Sequence, residues 1–418
     1  MNSSFSSLDH KPAHTPGAAA LADPTPRFTR IITGVEAGAN SIQVRWADGF
    51  RSRYSLLWLR DNCPAIRHPG TGQRLVDITA LPLKPALCQT RLESDDSLIL
   101  HWTNDHHVSR FPGTWLREHA YDPADSTGKS TVSERGPRGI ETWDAELNAR
   151  LPEGRYPQIA SSPEELRDWL RNVRRFGFAL LRDVPRTPGF VLKVAALFGY
   201  IRETNYGRLM DIQCQGEPTN LVFSNAALAP HTDNPYRDPA PTLKLLHCLK
   251  NNADGGASLL VDGLRVAEEL RRTAPDLFSL LANVKITYRF RESETLLECE
   301  RSVIDLDSDG AVRGVYFNHR AVAPFRLPSG IMDAYYSAYH TFAKMLQSPR
   351  NQISFQLEPG DLYIVDNRRV LHGRTIYRNP FDRHLQACYA DRDGLYSRLS
   401  VLESRLQESR FQGNHSSE

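Results

Sequence analysis

What most constrains this chain is a series of short apolar runs in its second half. "FALLRDVP", "PTLKLLHCL", "ASLLVDG", "VKITYRF" and "GDLYIVD" read as strands, each flanked by turn-forming residues. Two helices stand out among them. Ser162 reads as an N-cap, Pro163 as the first helical residue and Glu165 as the far side of a capping box. Leu166, Trp169, Leu170 and Val173 then repeat at helical spacing up to a stop at Gly177. A second amphipathic helix is predicted from Ile331 to about Leu346, with Tyr335, Tyr339, Phe342 and Met345 on one side. Such stripes dock a helix on a core. The fold class that follows is mainly β with flanking helices.

The first half is organised differently. Residues 1–26 are rich in Ser, Ala, Pro and Thr and read as a disordered tail. Over 27–121, "RIITGVEAG", "SIQVRWADGF", "RYSLLWLRDN" and "SLILHWTND" alternate in polarity between turns, as a small β-rich domain does. Residues 122–155 read as a linker, 156–405 as the main domain and 406–418 as a polar tail. Fifty-one Lys and Arg against 49 Asp and Glu leave no basic field to draw nucleic acid or an anionic membrane. There is no signal-peptide-like or membrane-spanning run, and the six cysteines are scattered without a CxxC pair. A cytoplasmic location is expected.

"HTDNP" at 231–235 poses the functional question. In an extended strand His231 and Asp233 would share a face and could meet one metal ion. His-x-Asp alone carries little information, and a lone histidine is usually a satisfied core residue. A third ligand is available in "DLYIVDNRRVLHGRTIY", where a strand ends at Val365, Asp366 and Asn367 turn, and His372 sits on the next strand. Two histidines and one carboxylate make the facial triad of non-haem Fe(II) oxygenases, which leaves coordination positions for a 2-oxo acid and O2. Arg383 could grip the distal carboxylate of such a co-substrate, and Ser258 in "GGASLLVDG" could add a hydroxyl.

The run "HTDNPYRDPAPTLKLLHCLKNNADGGASLLVDG", with "VDNRRVLHGRTIY" and "DRHLQACYADRDGLYSRL", resembles the gamma-butyrobetaine hydroxylase and trimethyllysine hydroxylase family. These are 2-oxoglutarate and Fe(II)-dependent oxygenases related more distantly to taurine dioxygenase, and the resemblance covers nearly the whole chain. It implies a double-stranded β-helix (jelly-roll) oxygenase core preceded by a small β-rich domain. Iron would fall on His231, Asp233 and His372, and 2-oxoglutarate on Arg383, Ser258 and Asn220. The substrate would meet Tyr206, Met210, Phe223 and Tyr389, with Asn318 and His319 near its carboxylate. The implied activity is hydroxylation of an unactivated C–H bond, with gamma-butyrobetaine, the precursor of carnitine, as the default substrate.

The chain departs from the family in two places. Met210 stands where tryptophan is usual, Phe223 lacks a hydroxyl, and His319 follows Asn318 where a second Asn is usual. In the small domain the family often holds zinc on four ligands. The alignment here supplies only Cys63, His68 and His107, so a structural zinc is doubtful and an apolar core is expected to hold the domain. Three alternatives stay open: the same chemistry on another amino acid or natural-product intermediate, a non-catalytic jelly-roll binding protein, and a zinc hydrolase. The expected partners are a small-molecule substrate and O2, with no nucleic acid and no membrane. Assembly is left open between monomer and homodimer.

Overall fold

The computed structural model describes residues 31–123, 139–216, 221–292 and 294–415. The tail expected over 1–26 lies outside them. The chain divides into two compact units, Met1–Val132 and Ser133–Glu418.

The first unit contains two small antiparallel sheets. Ile32–Ala37, Ser41–Trp46 and Arg51–Ser55 form a meander extended by Asp122–Pro123, and Leu87–Leu92, Ser97–Trp102 and Val108–Pro112 form the second sheet. Alternate residues point inward, so Ile42, Val44 and Trp46 join Leu98, Leu100, Trp102 and Phe111 in one core. The buried indoles are not left unpaired: Trp46 donates to Ser52 and Trp102 to Ser109. Cys63 is buried in this core with its Sγ 3.2 Å from His107 Nε2. His68 instead turns to its own loop and accepts from the Gly70 and Thr71 amides.

The second unit is a sandwich of two sheets. The larger runs Ile201–Arg202, Arg383–Ala390, Leu243–Asn251, Leu362–Asp366, Phe178–Arg182 and Glu153–Arg155, with Met210–Gln213 also paired to Arg383–Ala390. The smaller runs Leu228–His231, Val370–Arg374, Ser258–Asp262 and Gln352–Phe355. Phe178, Leu180, Leu246 and Leu385 of the larger sheet meet Leu260, Ile353 and Val370 of the smaller between the layers. The alternate residues Ala179, Leu181, Leu243 and Leu245 pack outward under helix Pro163–Phe176 and Leu395, Leu399 and Leu402 of helix Arg392–His415. Burial on both faces is why Phe178–Leu181 is apolar throughout instead of alternating. Helices Gly263–Thr273, Pro275–Asn283 and Ser329–Gln347 cover the smaller sheet's outer face through Val261 and Leu371.

The helix boundaries fall where the sequence puts them, but the capping box is only half formed, because the Ser162 amide donates to the Gln158 carbonyl and not to Glu165. Helix Pro163–Phe176 starts with Ser162 Oγ accepting from the Glu165 amide and stops at Gly177, φ +78°. The hydroxyl of Ser162 donates to Glu164. Residues 139–155, within the span expected as a linker, belong to the second unit: Trp143 is buried, and its indole donates to the Phe176 carbonyl. Helix Arg392–His415 runs on through the start of the span expected as a polar tail. No helix among the described residues is long and apolar enough to cross a membrane.

One buried ion pair ties these parts together. Arg369 and Asp262 are 3% and 0% exposed, with Arg369 Nη2 2.7 Å from Asp262 Oδ2. Arg369 also donates to the carbonyls of Arg175 and Glu141, and Asp262 accepts from the Leu264 and Trp143 amides. Arg369→Met should cost about 3–5 kcal/mol, because it strands a desolvated carboxylate. Urea unfolding of the variant checks this. An unchanged midpoint and slope would show the pair to be dispensable.

Candidate active site

Strands Leu228–His231 and Val370–Arg374 are antiparallel neighbours, and His231 is the register partner of His372. Directly opposed residues bring their side chains together on one face, and the two imidazole centroids lie 4.5 Å apart. Gly373 makes the close pairing possible, since a Cβ there would lie 2.5 Å from the Leu228 carbonyl oxygen.

Asp233 is positioned by a different device from the one expected. The strand ends at His231, so strand alternation does not carry Asp233 to the histidines. Thr232 instead donates its amide to the Phe317 carbonyl and accepts at its hydroxyl from the Phe317 amide. The Asn367 side chain accepts from the Asp233 amide at 2.7 Å and donates to the carbonyls of Asp233 and Pro241. The result is a buried cluster of His231, Asp233 and His372 whose ligand atoms all lie within 4.8 Å of one another. It is the one such group of three among the described residues.

The two carboxylate oxygens have different surroundings. Asp233 Oδ1 lies 3.4 Å from His231 Nε2 and 3.5 Å from His372 Nε2. Oδ2 accepts from the Tyr389 hydroxyl at 2.9 Å and pairs with Lys244 Nζ at 2.7 Å. The Nδ1 of His231 bonds to the Ala229 carbonyl at 2.9 Å, which fixes its proton there and leaves Nε2 as the free lone pair. Burial opposes ionisation of Asp233, but the neighbouring Lys244 charge overrides it and holds the carboxyl well below its usual range. Burial also lowers His231, and burial with the nearby Lys244 charge takes His372 down to about 3. Two neutral imidazoles and one ionised carboxylate are the protonation states that metal ligation requires. The donor set suits Fe(II).

These side chains open into a cavity of about 360 Å³. Arg383 and Ser258, both buried, line it, and Arg383 Nε has no hydrogen-bond partner among the described residues. The Arg383 guanidinium stands 5.0 Å from the Tyr377 ring centroid. Gly256, at φ +72°, lets both approach, because a Cβ there would sit 3.2 Å from Tyr377 Cβ and 3.3 Å from Arg383 Nε. A desolvated cation with an unmet donor is a receptor for a carboxylate, so the residues fit a 2-oxo acid as well as iron.

Tyr206, Met210, Phe223, Asn318 and Tyr389 all line the same cavity. Asn318 donates to the Thr232 carbonyl, and its Oδ1 is buried without a partner among the described residues. His319 corrects the sequence expectation. It is exposed with its ring 5.7 Å from Tyr339, and its neighbour Arg320 takes the place in the cavity wall. Asn220 lies outside the described residues. Cys63 and His107 meet in the other unit, but His68 does not join them.

Several cavity residues were not anticipated. Tyr236 and Phe290 stack at 5.1 Å, Phe290 meets Tyr206 edge-on at 5.8 Å, and the Tyr206 and Tyr236 hydroxyls are 3.3 Å apart. Phe290 comes from the hairpin Ile286–Glu292 and Thr295–Arg301, whose sequence reads as an ordinary strand pair. Arg374, two residues beyond His372, donates to the carbonyls of Leu221, Val222, Ser224 and Ala226 and so fixes the segment carrying Phe223. Lys244 gave no signal beyond a polar letter in an apolar strand.

Residues 138–389 match the family model of the taurine catabolism dioxygenase TauD, TfdA family, and residues 35–117 match that of the gamma-butyrobetaine hydroxylase-like N-terminal domain. The chain is 35% identical over 368 residues to the gamma-butyrobetaine dioxygenase of Pseudomonas sp. (strain AK-1), covering 87% of this chain and 94% of that one. It is 28% identical over 378 residues to the human gamma-butyrobetaine dioxygenase, covering 88% and 96%. The same identity holds over 378 residues to the trimethyllysine dioxygenase of Meyerozyma guilliermondii, covering 87% and 94%. With two neutral imidazoles and an ionised carboxylate sharing a cavity with a buried arginine inside a jelly roll, the chain belongs to the TauD/TfdA family and is a 2-oxoglutarate and Fe(II)-dependent dioxygenase.

Proposed function

We propose that the protein hydroxylates gamma-butyrobetaine, with His231, Asp233 and His372 holding iron and Arg383 with Ser258 holding the distal carboxylate of 2-oxoglutarate. The observation that carries this is the buried triad sharing one cavity with Arg383 and an aromatic wall. Iron with 2-oxoglutarate and O2 supplies the oxidation, one oxygen atom entering the substrate C–H bond and the other leaving in succinate, with release of CO2. The chain's own residues bind, orient and exclude water. Tyr389, its phenol pushed well above its usual range by burial and by Asp233, stays protonated and keeps Asp233 Oδ2 occupied. That leaves Oδ1 for the metal. A trimethylammonium group cannot donate hydrogen bonds and is best held by ring faces, of which Tyr206, Tyr236, Phe290 and Phe223 offer several.

This reading assigns the chemistry to the oxygenase domain over 156–405 and a separate role to the small domain over 27–121. The near-neutral charge and scattered thiols support a cytoplasmic enzyme acting on free small molecules, independent of nucleic acid and membrane, as a monomer or homodimer.

Asp233→Ala removes the carboxylate ligand and should abolish substrate-dependent succinate release while the protein remains folded. Turnover near the wild-type rate would overturn the triad assignment. Arg383→Lys keeps the charge but loses the planar fork. It should weaken apparent 2-oxoglutarate affinity by about ten- to a hundredfold, the equivalent of one charge-assisted hydrogen bond at about 1.5–3 kcal/mol. A change confined to the affinity for gamma-butyrobetaine would assign Arg383 to the other ligand.

Met210→Trp tests the substrate. A ring face added beside a quaternary ammonium is worth about 0.5–2 kcal/mol, or roughly two- to thirtyfold in gamma-butyrobetaine affinity. 2-Oxoglutarate affinity should not move. A variant that lost gamma-butyrobetaine turnover would show that the Met210 side of the pocket is shaped for something else.

A further inference from the structure

Lys244 makes two contacts that the iron and 2-oxoglutarate assignments leave unexplained. It lies on Leu243–Asn251 with its side chain 8% exposed, pointing between the sheets while Leu243 and Leu245 pack outward. Its Nζ is 2.7 Å from Asp233 Oδ2 and 2.9 Å from His372 Nε2. The second distance is the important one. With His231 Nδ1 committed to a carbonyl and both His Nε2 atoms facing Asp233 Oδ1, Nε2 is the nitrogen through which His372 would bind iron. That lone pair cannot accept from an ammonium and ligate a metal at once. A divalent ion there would also stand next to a buried positive charge, which low dielectric penalises.

An ammonium displaced from His372 has few places to go. Among the residues lining the cavity, Asp233 is the single carboxylate, set against Lys244, Arg289, Arg320, Arg374 and Arg383. Arg289 is paired with Glu298, and Arg374 is spent on four backbone carbonyls. The remaining anion that can answer Lys244 is one carried in by a ligand, and 2-oxoglutarate brings two carboxylates. From this, and resting on the triad as the iron site, we infer that Lys244 is a positioning residue that competes with the metal for His372 and Asp233 until a bound carboxylate draws it away. Metal binding and co-substrate binding are then coupled through one side chain. Each strengthens the other, and by linkage the factor is the same in both directions.

The test uses Co(II) as the probe, titrated into the purified full-length protein without added iron and followed by its visible absorption, with and without 2-oxoglutarate. Lys244→Gln and Lys244→Met remove the charge with different polarity, so the result does not hang on one variant's folding, which thermal melting monitors. Lys244→Arg keeps the charge. With the charge removed, Co(II) alone should bind more tightly by about tenfold, within the usual range of such couplings. The strengthening of Co(II) binding by 2-oxoglutarate should shrink by a similar factor, and Lys244→Arg should stay near wild type in both. Unchanged or weaker Co(II) binding in the Gln and Met variants, or an undiminished 2-oxoglutarate effect, overturns the inference. Asp233→Ala separates the two levels of the reading. If it binds Co(II) as well as wild type does, the metal-site assignment itself has failed. If it does not, while the Lys244 variants behave as wild type, only the role of Lys244 has.

Discussion

The pairing of His231 with His372 across two antiparallel strands is the constraint on which the site depends. It sets the separation of the two imidazoles by backbone register, which a side chain cannot adjust. Leu260 on the adjoining strand is in register with His372, and its side chain is part of the core between the sheets. A one-residue slip would therefore bury the imidazole-bearing face wrongly and dismantle the core with it. Asp233 is held by side chains, since Asn367, on the turn that carries the chain from Leu362–Asp366 of one sheet to Val370–Arg374 of the other, clamps its backbone. Rigidity comes from the sheets, and the irregular backbone is confined to the point where the carboxylate must reach across.

Electrostatics decides what the cavity can hold. Three buried cations, Lys244, Arg374 and Arg383, face one carboxylate along its wall, and a divalent metal would add two further positive charges. Buried charge of one sign is costly unless compensated. A dianionic co-substrate supplies most of that compensation, and a substrate carboxylate near Arg320 would supply more. A purely cationic amine would add to the imbalance. A zwitterion that sends its cation to the aromatic wall and its carboxylate to the arginines satisfies both ends, and gamma-butyrobetaine has that form.

Much of this was legible in the sequence because it rests on local rules. The Ser162 cap, the Gly177 stop and the doubly buried strand at 178–182 follow from capping chemistry and apolar periodicity. That His231, Asp233 and His372 come together was legible from their order and company, although the geometric reason offered for Asp233 was not the one the fold uses. What stayed hidden depends on tertiary register. Lys244 lies in the cavity because Leu243–Asn251 pairs with Arg383–Ala390 so that Lys244 stands opposite Tyr389, and no local pattern encodes that. His319 and Arg320 are adjacent, and which one faces the cavity turns on the short helical turn His319–Ala321. Residues 139–155 carry the punctuation of a linker, yet Trp143 finds a buried carbonyl at the end of a helix more than thirty residues away.

The aromatic wall illustrates how far chemistry and specificity are separated in this fold. His231, His372 and Arg383 sit on paired strands and Asp233 on backbone clamped to one, where a change would disturb the sandwich. Tyr206, Phe223 and Phe290 come from connecting segments and a peripheral hairpin, and Arg374 ties only one of these to the core. Loops anchored on a rigid scaffold can change their lining without disturbing the ligands beneath. Tyr236 and Phe290, stacked into the same wall, are lining of that kind, whereas Met210 stands on a strand paired with Arg383–Ala390. The aromatic surface is a property of the wall as a whole, while the strand register that sets His231 against His372 tolerates no such redistribution.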